Sequence, residues 1–274
     1  MFPALNLGRL FGIPLRVHFT FWFLPLYVIL ASPPGTPIPF HLLLIVAIFG
    51  CVVLHELGHA LAARLYGIRT RDITLYPIGG VASLQRISEK PVEELVIAIA
   101  GPLVNVLIAA VLIVLIAAGA ALAPETFLQT LLASFLNYLL VANVIMILFN
   151  LIPAFPLDGG RIFRACLGFF MDHLQATRVA VYVGTPLTLL LMVLVVLVWQ
   201  DFMNPFLFII AFFVIMAGQQ ELAMLEYRER MRRASPMGSP TVMASNLPGW
   251  MQPTVTVYVW DPANGVWVRQ EQRA

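Results

Sequence analysis

The sequence predicts an all-α polytopic membrane protein with six transmembrane helices, a small membrane-associated β element and a short C-terminal β-hairpin-like tail. Composition is the first reason: 60% of the 274 residues are hydrophobic and 11% are charged, against about 25% charged in a soluble domain. The second reason is that six apolar runs approach the roughly 20 residues that a membrane span requires. The third is that, apart from Arg64 at the end of the second run, lysine and arginine fall only in the termini and in alternate connections between these runs.

The six predicted spans follow one another through short connections. They cover approximately His18–Ala31, His41–Leu65, Val92–Leu122, Phe127–Phe149, Val179–Trp199 and Pro205–Leu222. The third run is long and carries Gly101 and Pro102 near its start. Because proline disturbs the helical hydrogen-bond pattern, a kink or a tilt is expected there.

Charge distribution predicts the orientation of the chain. The connections Ser32–Phe40, Ala123–Thr126 and Gln200–Asn204 contain no lysine or arginine, whereas both termini and the intervening connections do. Because cytoplasmic loops are enriched in lysine and arginine, both termini are expected in the cytoplasm, with the chain in the cell's inner or cytoplasmic membrane. Six spans satisfy this alternation, and five would break it.

Two segments favour β structure. Gly67–Ser88 combines β-forming residues with a turn signal at Gly79 and Gly80, which predicts a short hairpin. The second segment lies at the C-terminus, within residues 254–274, and also favours a β-hairpin. The chain is therefore divided into a six-span domain over residues 1–230, a flexible linker over 231–253 and a β-hairpin tail over 254–274. A lone hairpin is marginally stable in water, so the tail is expected to pack on something or to pair with a partner.

Composition also excludes several classes of protein. The net charge of +2 and the lack of a long basic run argue against nucleic-acid binding. The two cysteines, Cys51 and Cys166, give no sign of a disulfide framework. The first apolar run lacks a convincing small-residue cleavage site and is interpreted as a retained span rather than a signal peptide.

The stretch His55-Glu56-Leu57-Gly58-His59 lies in the second predicted span, near its cytoplasmic end. Residues four apart lie on one face of a helix, about 6 Å apart along its axis, so His55 and His59 can hold one metal ion. Glu56 is placed beside them to act on water. The alternative is a pair of buried histidines satisfied by neighbours, but ionisable residues inside a membrane are usually functional.

A catalytic metal needs a third protein ligand, and Asp158 is the best candidate. It follows the fourth span in a segment where prolines end the helix and Gly159-Gly160 frees the backbone. The alternative is that Asp158 caps the short helix that follows. Cys51 is a rival ligand, but Cys51, His55 and His59 extend over about 12 Å of one helix, too far for a single ion.

The identity of the metal follows from the residue beside the ligands. Two histidines and a carboxylate can also hold non-haem iron. Glu56 favours hydrolysis instead, because a carboxylate can take a proton from the attacking water and return it to the leaving amine. One Zn²⁺ per chain is therefore predicted.

These residues resemble the site-2 protease family of intramembrane zinc metalloproteases, peptidase family M50. His55–His59 matches the family's HExxH motif, and residues 150–160 (NLIPAFPLDGG) match its NxxPxxPLDGG motif. AGPLVN at residues 100–105 and GIPLRVH at residues 12–18 are similar to further family elements. The resemblance covers about residues 8–222.

The resemblance implies a role for each site residue. His55, His59 and Asp158 would be the zinc ligands and Glu56 the general base. Asn150 would bind or orient the substrate backbone. The Gly67–Ser88 element, with Gly79 and Gly80, would pair with an extended substrate by main-chain hydrogen bonds. The chain resembles prokaryotic members, but the segment after the sixth run is too short for a tandem CBS domain and the outer connections are too short for a PDZ domain.

The expected partners are a lipid bilayer and a single-pass membrane protein that is cut within its span, with a regulatory membrane partner also envisaged. A first alternative is a non-catalytic membrane scaffold or chaperone of the same fold. Such relatives usually lose the glutamate or a ligand, and none is missing here. A second alternative is a metal or ion transporter, which predicts polar residues across several spans rather than at one site. Oligomeric state cannot be predicted from the sequence.

Overall fold

The computed structural model describes residues 4–32, 37–77, 79–86, 88–121, 126–199, 205–234, 254–261 and 266–273. The helices are α1 Phe23–Ala31, α2 Ile38–Leu65, α3 Pro91–Ala121, α4 Phe127–Asn150, α5 Asp158–Leu167, α6 His173–Trp199 and α7 Pro205–Ala234. The strands are β1 Ala4–Leu10, β2 Ile13–His18, β3 Thr70–Tyr76, β4 Gly79–Leu84, β5 Thr254–Asp261 and β6 Val266–Arg273. Residues Met1–Ala223 form one compact unit and Met224–Ala274 another.

Four helices among the described residues are long and apolar enough to cross a membrane, namely α2, α3, α4 and α6. Their predicted positions agree with the structure, although α6 begins at His173 rather than Val179. Large apolar side chains on these helices point outward, with Val46 66% and Val114 66% exposed. A surface of this kind requires a lipid environment, so the chain is a multi-pass integral membrane protein.

The first predicted span differs from the structure at its beginning. His18 ends β2, and the helical segment runs only from a 3-10 turn at Phe19–Trp22 to Ala31. At about 1.5 Å per residue it is roughly 20 Å long, shorter than the roughly 30 Å hydrocarbon core. The Nδ1 atom of His18 accepts a hydrogen bond from the amide of Thr20, which starts the helical turn at this point.

The sheet of the first unit has four strands, in the order β1-β2-β3-β4. Strands β3 and β4 form the hairpin predicted within Gly67–Ser88. The antiparallel pair β1–β2 was not predicted, and β2 runs parallel to β3. The chain reverses between β1 and β2 through Phe11 and Gly12, both with positive φ. The observed β element therefore has four strands, twice the number in the predicted hairpin.

The sheet packs against α2. Leu75 and Val17 bury against Val52 and Phe49 of the helix. Ile73 joins a second buried cluster with Leu57 and Ala60 of α2. These contacts place the sheet beside the helical turn that carries the HExxH motif.

Two predictions concern the C-terminal region. Helix α7 continues to Ala234 and so occupies residues 231–234 of the predicted linker, while residues 235–253 lie outside the described residues. Within the second unit, β5 and β6 pair antiparallel, with Trp260 opposite Trp267, as expected for the predicted tail hairpin. The turn at residues 262–265 also lies outside the described residues.

Candidate metal centre

Helix α2 brings the two histidines of the HExxH motif together. His55 and His59 are each 4% exposed, and their Nε2 atoms lie 3.1 Å apart. No proline interrupts α2 between Phe40 and Leu65, so the i, i+4 spacing is kept through the motif. Gly58 lets this part of α2 approach α3, since a Cβ atom there would lie 2.7 Å from the Ala100 carbonyl oxygen.

Asp158 reaches the histidines from a different helix, α5. It is the first residue of α5 and is 7% exposed. Its Oδ2 atom lies 3.1 Å from Nε2 of His55 and 3.1 Å from Nε2 of His59. The cap position of α5 is Leu157, and no side chain caps the helix. The alternative interpretation of Asp158 as a helix cap is therefore wrong.

The turn before Asp158 is tight. A Cβ atom at Gly159 would overlap the backbone of Leu151 and Ile152, and one at Gly160 would lie 2.6 Å from the Ala154 carbonyl carbon. The two glycines thus allow the chain after α4 to fold back on the start of α5. This fold-back brings the Asp158 carboxylate, 99 residues beyond His59, to the histidines.

The three donor atoms fit a zinc ion. Each pair of donors is 3.1 Å apart. Donors at the corners of a tetrahedron around zinc, with bonds of about 2.0–2.2 Å, lie about 3.3–3.6 Å from one another. Two nitrogens and one carboxylate oxygen also match the ligand set of catalytic zinc sites, which keep one position open.

Helix α3 orients His59 and leaves room for both imidazoles. Nδ1 of His59 donates a hydrogen bond of 2.7 Å to the carbonyl oxygen of Ile97, which directs Nε2 toward the other donors. A Cβ atom at Gly101 would overlap the His59 ring and lie 2.8 Å from Nε2 of His55. Among the described residues, Nδ1 of His55 has no hydrogen-bond partner.

Glu56 lies beside the histidines, half-buried against the sheet. The Cα of Gly80 on β4 packs against it so closely that a Cβ atom there would lie 2.8 Å from Cγ of Glu56. Strand β4 therefore sets the position of the Glu56 side chain.

Two predicted site residues remain, Asn150 and Gly79, and of these only Asn150 lies close to a donor atom. Nδ2 of Asn150, at the end of α4, is 3.5 Å from Nε2 of His55. Gly79 opens β4 with φ of 143° and pairs with Tyr76. A Cβ atom at Gly79 would meet nothing within 4 Å, so this glycine serves the turn and does not contact the histidines.

Cys51 lies apart from the three donors. Its Sγ atom is 3.4 Å from Nδ2 of Asn143 on α4, which donates to it. It is buried and forms no disulfide. The rejection of Cys51 as a third ligand agrees with this position.

A buried ionic cluster next to the site was missed in the sequence. Arg164 of α5 and Glu94 of α3 are each 2% exposed and form an ion pair. Arg164 also binds Glu221 of α7 at 3.0 Å. Glu94 stands in an apolar run, and a charge within a predicted span is the signal that could have identified it.

The chain is similar to known proteins over most of its length. The sequence model of peptidase family M50 matches residues 43–124 and 120–194. A zinc metalloprotease of Methanocaldococcus jannaschii, MJ0392, is 36% identical over 225 residues, which are 81% of this chain and 62% of the relative. A putative zinc metalloprotease of Synechocystis, sll0528, is 37% identical over 59% of this chain and 43% of the relative. The chain thus spans less than two thirds of either relative's length.

A solved structure shows the same similarity. The site-2 protease from Methanocaldococcus jannaschii matches with a TM-score of 0.55 and 35% sequence identity, over 80% of this chain and 95% of that one. The family match extends from residue 43 to residue 194, more than half of the 274 residues. The chain belongs to peptidase family M50, the family of the site-2 proteases, as its motifs predicted.

Proposed function

We propose that this chain is an intramembrane zinc metalloprotease that hydrolyses a peptide bond within or near the transmembrane segment of a membrane-protein substrate. The observation that carries the proposal is the convergence of His55, His59 and Asp158, with donor atoms 3.1 Å apart, beside a carboxylate on a membrane helix. The names of the zinc metalloprotease relatives support it.

In this proposal, His55, His59 and Asp158 hold one Zn²⁺ per chain. When bound, zinc supplies Lewis acidity to the scissile carbonyl and to the attacking water. Glu56 takes a proton from that water on a carboxylate oxygen and returns it to the leaving amine. The close packing of Glu56 on Gly80 of β4 is proposed to hold its carboxylate in place for this role.

Strand β4 is proposed to bind the substrate. It is an edge strand of the described sheet, so its outer backbone groups can pair with an extended chain. Gly80 places this edge against Glu56, and Gly79 lets the chain turn into it. Asn150, whose Nδ2 lies 3.5 Å from Nε2 of His55, is proposed to orient the substrate backbone. Helical substrate segments must unwind before they can pair in this way.

The topology is proposed to comprise six crossing segments in the cell's inner or cytoplasmic membrane, with both termini in the cytoplasm. The distribution of lysine and arginine supports this orientation. The substrate is proposed to be a single-pass membrane protein in the same bilayer, and a regulatory membrane partner would control its access. Accessibility of single cysteines placed in the Ser32–Phe40 and Arg228–Arg233 segments, probed from each side of the membrane, tests the orientation.

The decisive experiment compares the wild-type protein with Glu56→Gln, using single-pass membrane proteins co-expressed with either form. Glu56→Gln is expected to retain one zinc per chain, to abolish cleavage and to trap the substrate. Glu89→Gln, which changes an exposed carboxylate, is the matched control and is expected to cleave normally. Cleavage by Glu56→Gln at the wild-type rate, or purified wild-type protein without zinc, would overturn the proposal.

A further inference from the structure

We propose that Arg164 is a positioning residue that, through its ion pair with Glu94, fixes α5 and therefore Asp158 relative to the two histidines. This inference rests on the zinc site in the proposed function. It concerns a buried cluster that touches none of the three donors and whose members come from four different elements, α3, α5, α6 and α7.

The burial of the pair makes its geometry strict. Nε and Nη2 of Arg164 both donate to Oε1 of Glu94, at 2.9 and 2.5 Å. A buried ion pair gives little net stability compared with well-packed apolar side chains. The pair instead restricts the relative position of the two helices. Because the guanidinium donates twice to one carboxylate oxygen, α5 can slide little along α3.

The same guanidinium also contacts the segment before α5. Its Cζ atom lies 4.7 Å from the ring centre of Phe155, three residues before Asp158. Nη1 lies 3.0 Å from Oε1 of Glu221 and 3.5 Å from Oγ1 of Thr177. Arg164 thus holds both sides of the turn that carries Asp158, and ties it to α6 and α7.

Helix α3 connects this cluster to the histidines. Glu94, Ile97 and Gly101 lie on roughly one face of the helix, within two turns or about 10 Å. Glu94 binds Arg164, Ile97 accepts a hydrogen bond from His59, and Gly101 leaves space for both imidazoles. One helix face therefore positions His59 directly and Asp158 through Arg164.

The test measures the zinc dissociation constant of the purified full-length chain in detergent, by competition with a chelator. Glu94→Gln is expected to weaken zinc binding by about tenfold or more, as is typical for groups that orient metal ligands. Glu93→Gln is the matched control, because Glu93 pairs with the exposed Lys90 at the same end of α3. Its zinc affinity is expected to equal that of the wild type.

Arg164→Lys provides a second variant that keeps the buried charge. A lysine ammonium cannot donate to Glu94 with the paired geometry while also reaching Glu221, so weaker zinc binding is again expected. Circular dichroism and thermal unfolding of the zinc-free proteins separate positioning from stability.

The outcomes distinguish this inference from the proposed function. A lower melting temperature with unchanged zinc affinity in Glu94→Gln and Arg164→Lys would mean that the cluster is merely structural, and the inference would be overturned. A wild-type protein that binds no zinc would overturn the proposed function itself. Weaker binding in both variants, with wild-type affinity in Glu93→Gln, supports the positioning role.

Discussion

Gly101 of α3 lies against the imidazole of His59 so closely that a Cβ atom at residue 101 would overlap the ring. Across the same helix pair, Gly58 of α2 lies against the backbone of Ala100. The spacing of α2 and α3 at the metal centre therefore depends on two missing side chains. Because α2 carries both histidines and α3 accepts the hydrogen bond of His59, the distance between the two helices affects the position of the zinc ligands.

Gly101→Ala is expected to displace the imidazoles of His55 and His59, because the added methyl group occupies their space. Displacement of a reacting group by about 1 Å can reduce a rate by about 100-fold. We therefore expect zinc affinity and kcat/KM both to fall by more than tenfold. Chelator competition and a cleavage assay on a membrane substrate measure the two effects.

Gly119→Ala on the same helix is the control for Gly101→Ala. A Cβ atom at Gly119 meets nothing within 4 Å, so only the helix propensity changes. That substitution favours the helix by about 0.5–1 kcal/mol. Equal losses of zinc binding in both variants would show that close packing at Gly101 is not the cause.

Gly80→Ala is expected to impair catalysis while zinc binding is kept. The new methyl group would lie 2.8 Å from Cγ of Glu56 and 3.0 Å from Cγ1 of Val52. Either Glu56 or the edge of β4 must then shift, and neither movement touches the three zinc donors. A fall in kcat/KM of about tenfold or more with an unchanged zinc dissociation constant is the expected result.

The control for Gly80→Ala is Gly50→Ala on α2, where a Cβ atom meets nothing within 4 Å. It should retain wild-type kcat/KM. If Gly80→Ala also behaves as the wild type, the close packing of β4 on Glu56 has no catalytic consequence.

The sequence was sufficient to predict the long helices and the convergence of His55, His59 and Asp158. Long apolar runs indicate helices that face lipid, and the HExxH spacing indicates that His55 and His59 share one face of a helix. The turn that brings Asp158 to the histidines was indicated by the prolines before it and by Gly159-Gly160. The apolar runs, the HExxH spacing and the turn before Asp158 are each local in the chain, so each could be inferred without knowing the tertiary contacts.

The features that were missed depend on distant partners. The guanidinium of Arg164 is buried only because Glu94 and Glu221, 70 and 57 residues away, meet it. Similarly, Ile13 and Val17 of β2 are buried because α2 covers them, whereas in the sequence they precede an apolar run that was assigned to the first span. Gly101 could be identified as part of a motif, but its contact with His59 requires the α2–α3 interface.

Cys51→Ala is expected to leave zinc content at one per chain, because Cys51 contacts Asn143 rather than the three donors. His55→Ala, one helical turn further along α2, is expected to lose zinc. Metal analysis of the purified variants measures both. Loss of zinc in Cys51→Ala, with normal helical circular dichroism, would return Cys51 to the list of ligands.

Zinc removal is expected to destabilise the folded protein as well as to inactivate it. A ligand that binds only the folded state stabilises it by about 2.7 kcal/mol when its free concentration is 100 times the dissociation constant. Thermal unfolding in detergent should therefore shift upward when zinc is restored to the chelated wild type. Asp158→Asn weakens a donor and should lose most of this shift. Asp72→Asn changes a carboxylate that pairs with Arg16 at 3.2 Å, outside the zinc site, and should keep the shift. An equal zinc-dependent shift in Asp158→Asn and the wild type would show that Asp158 does not bind the metal.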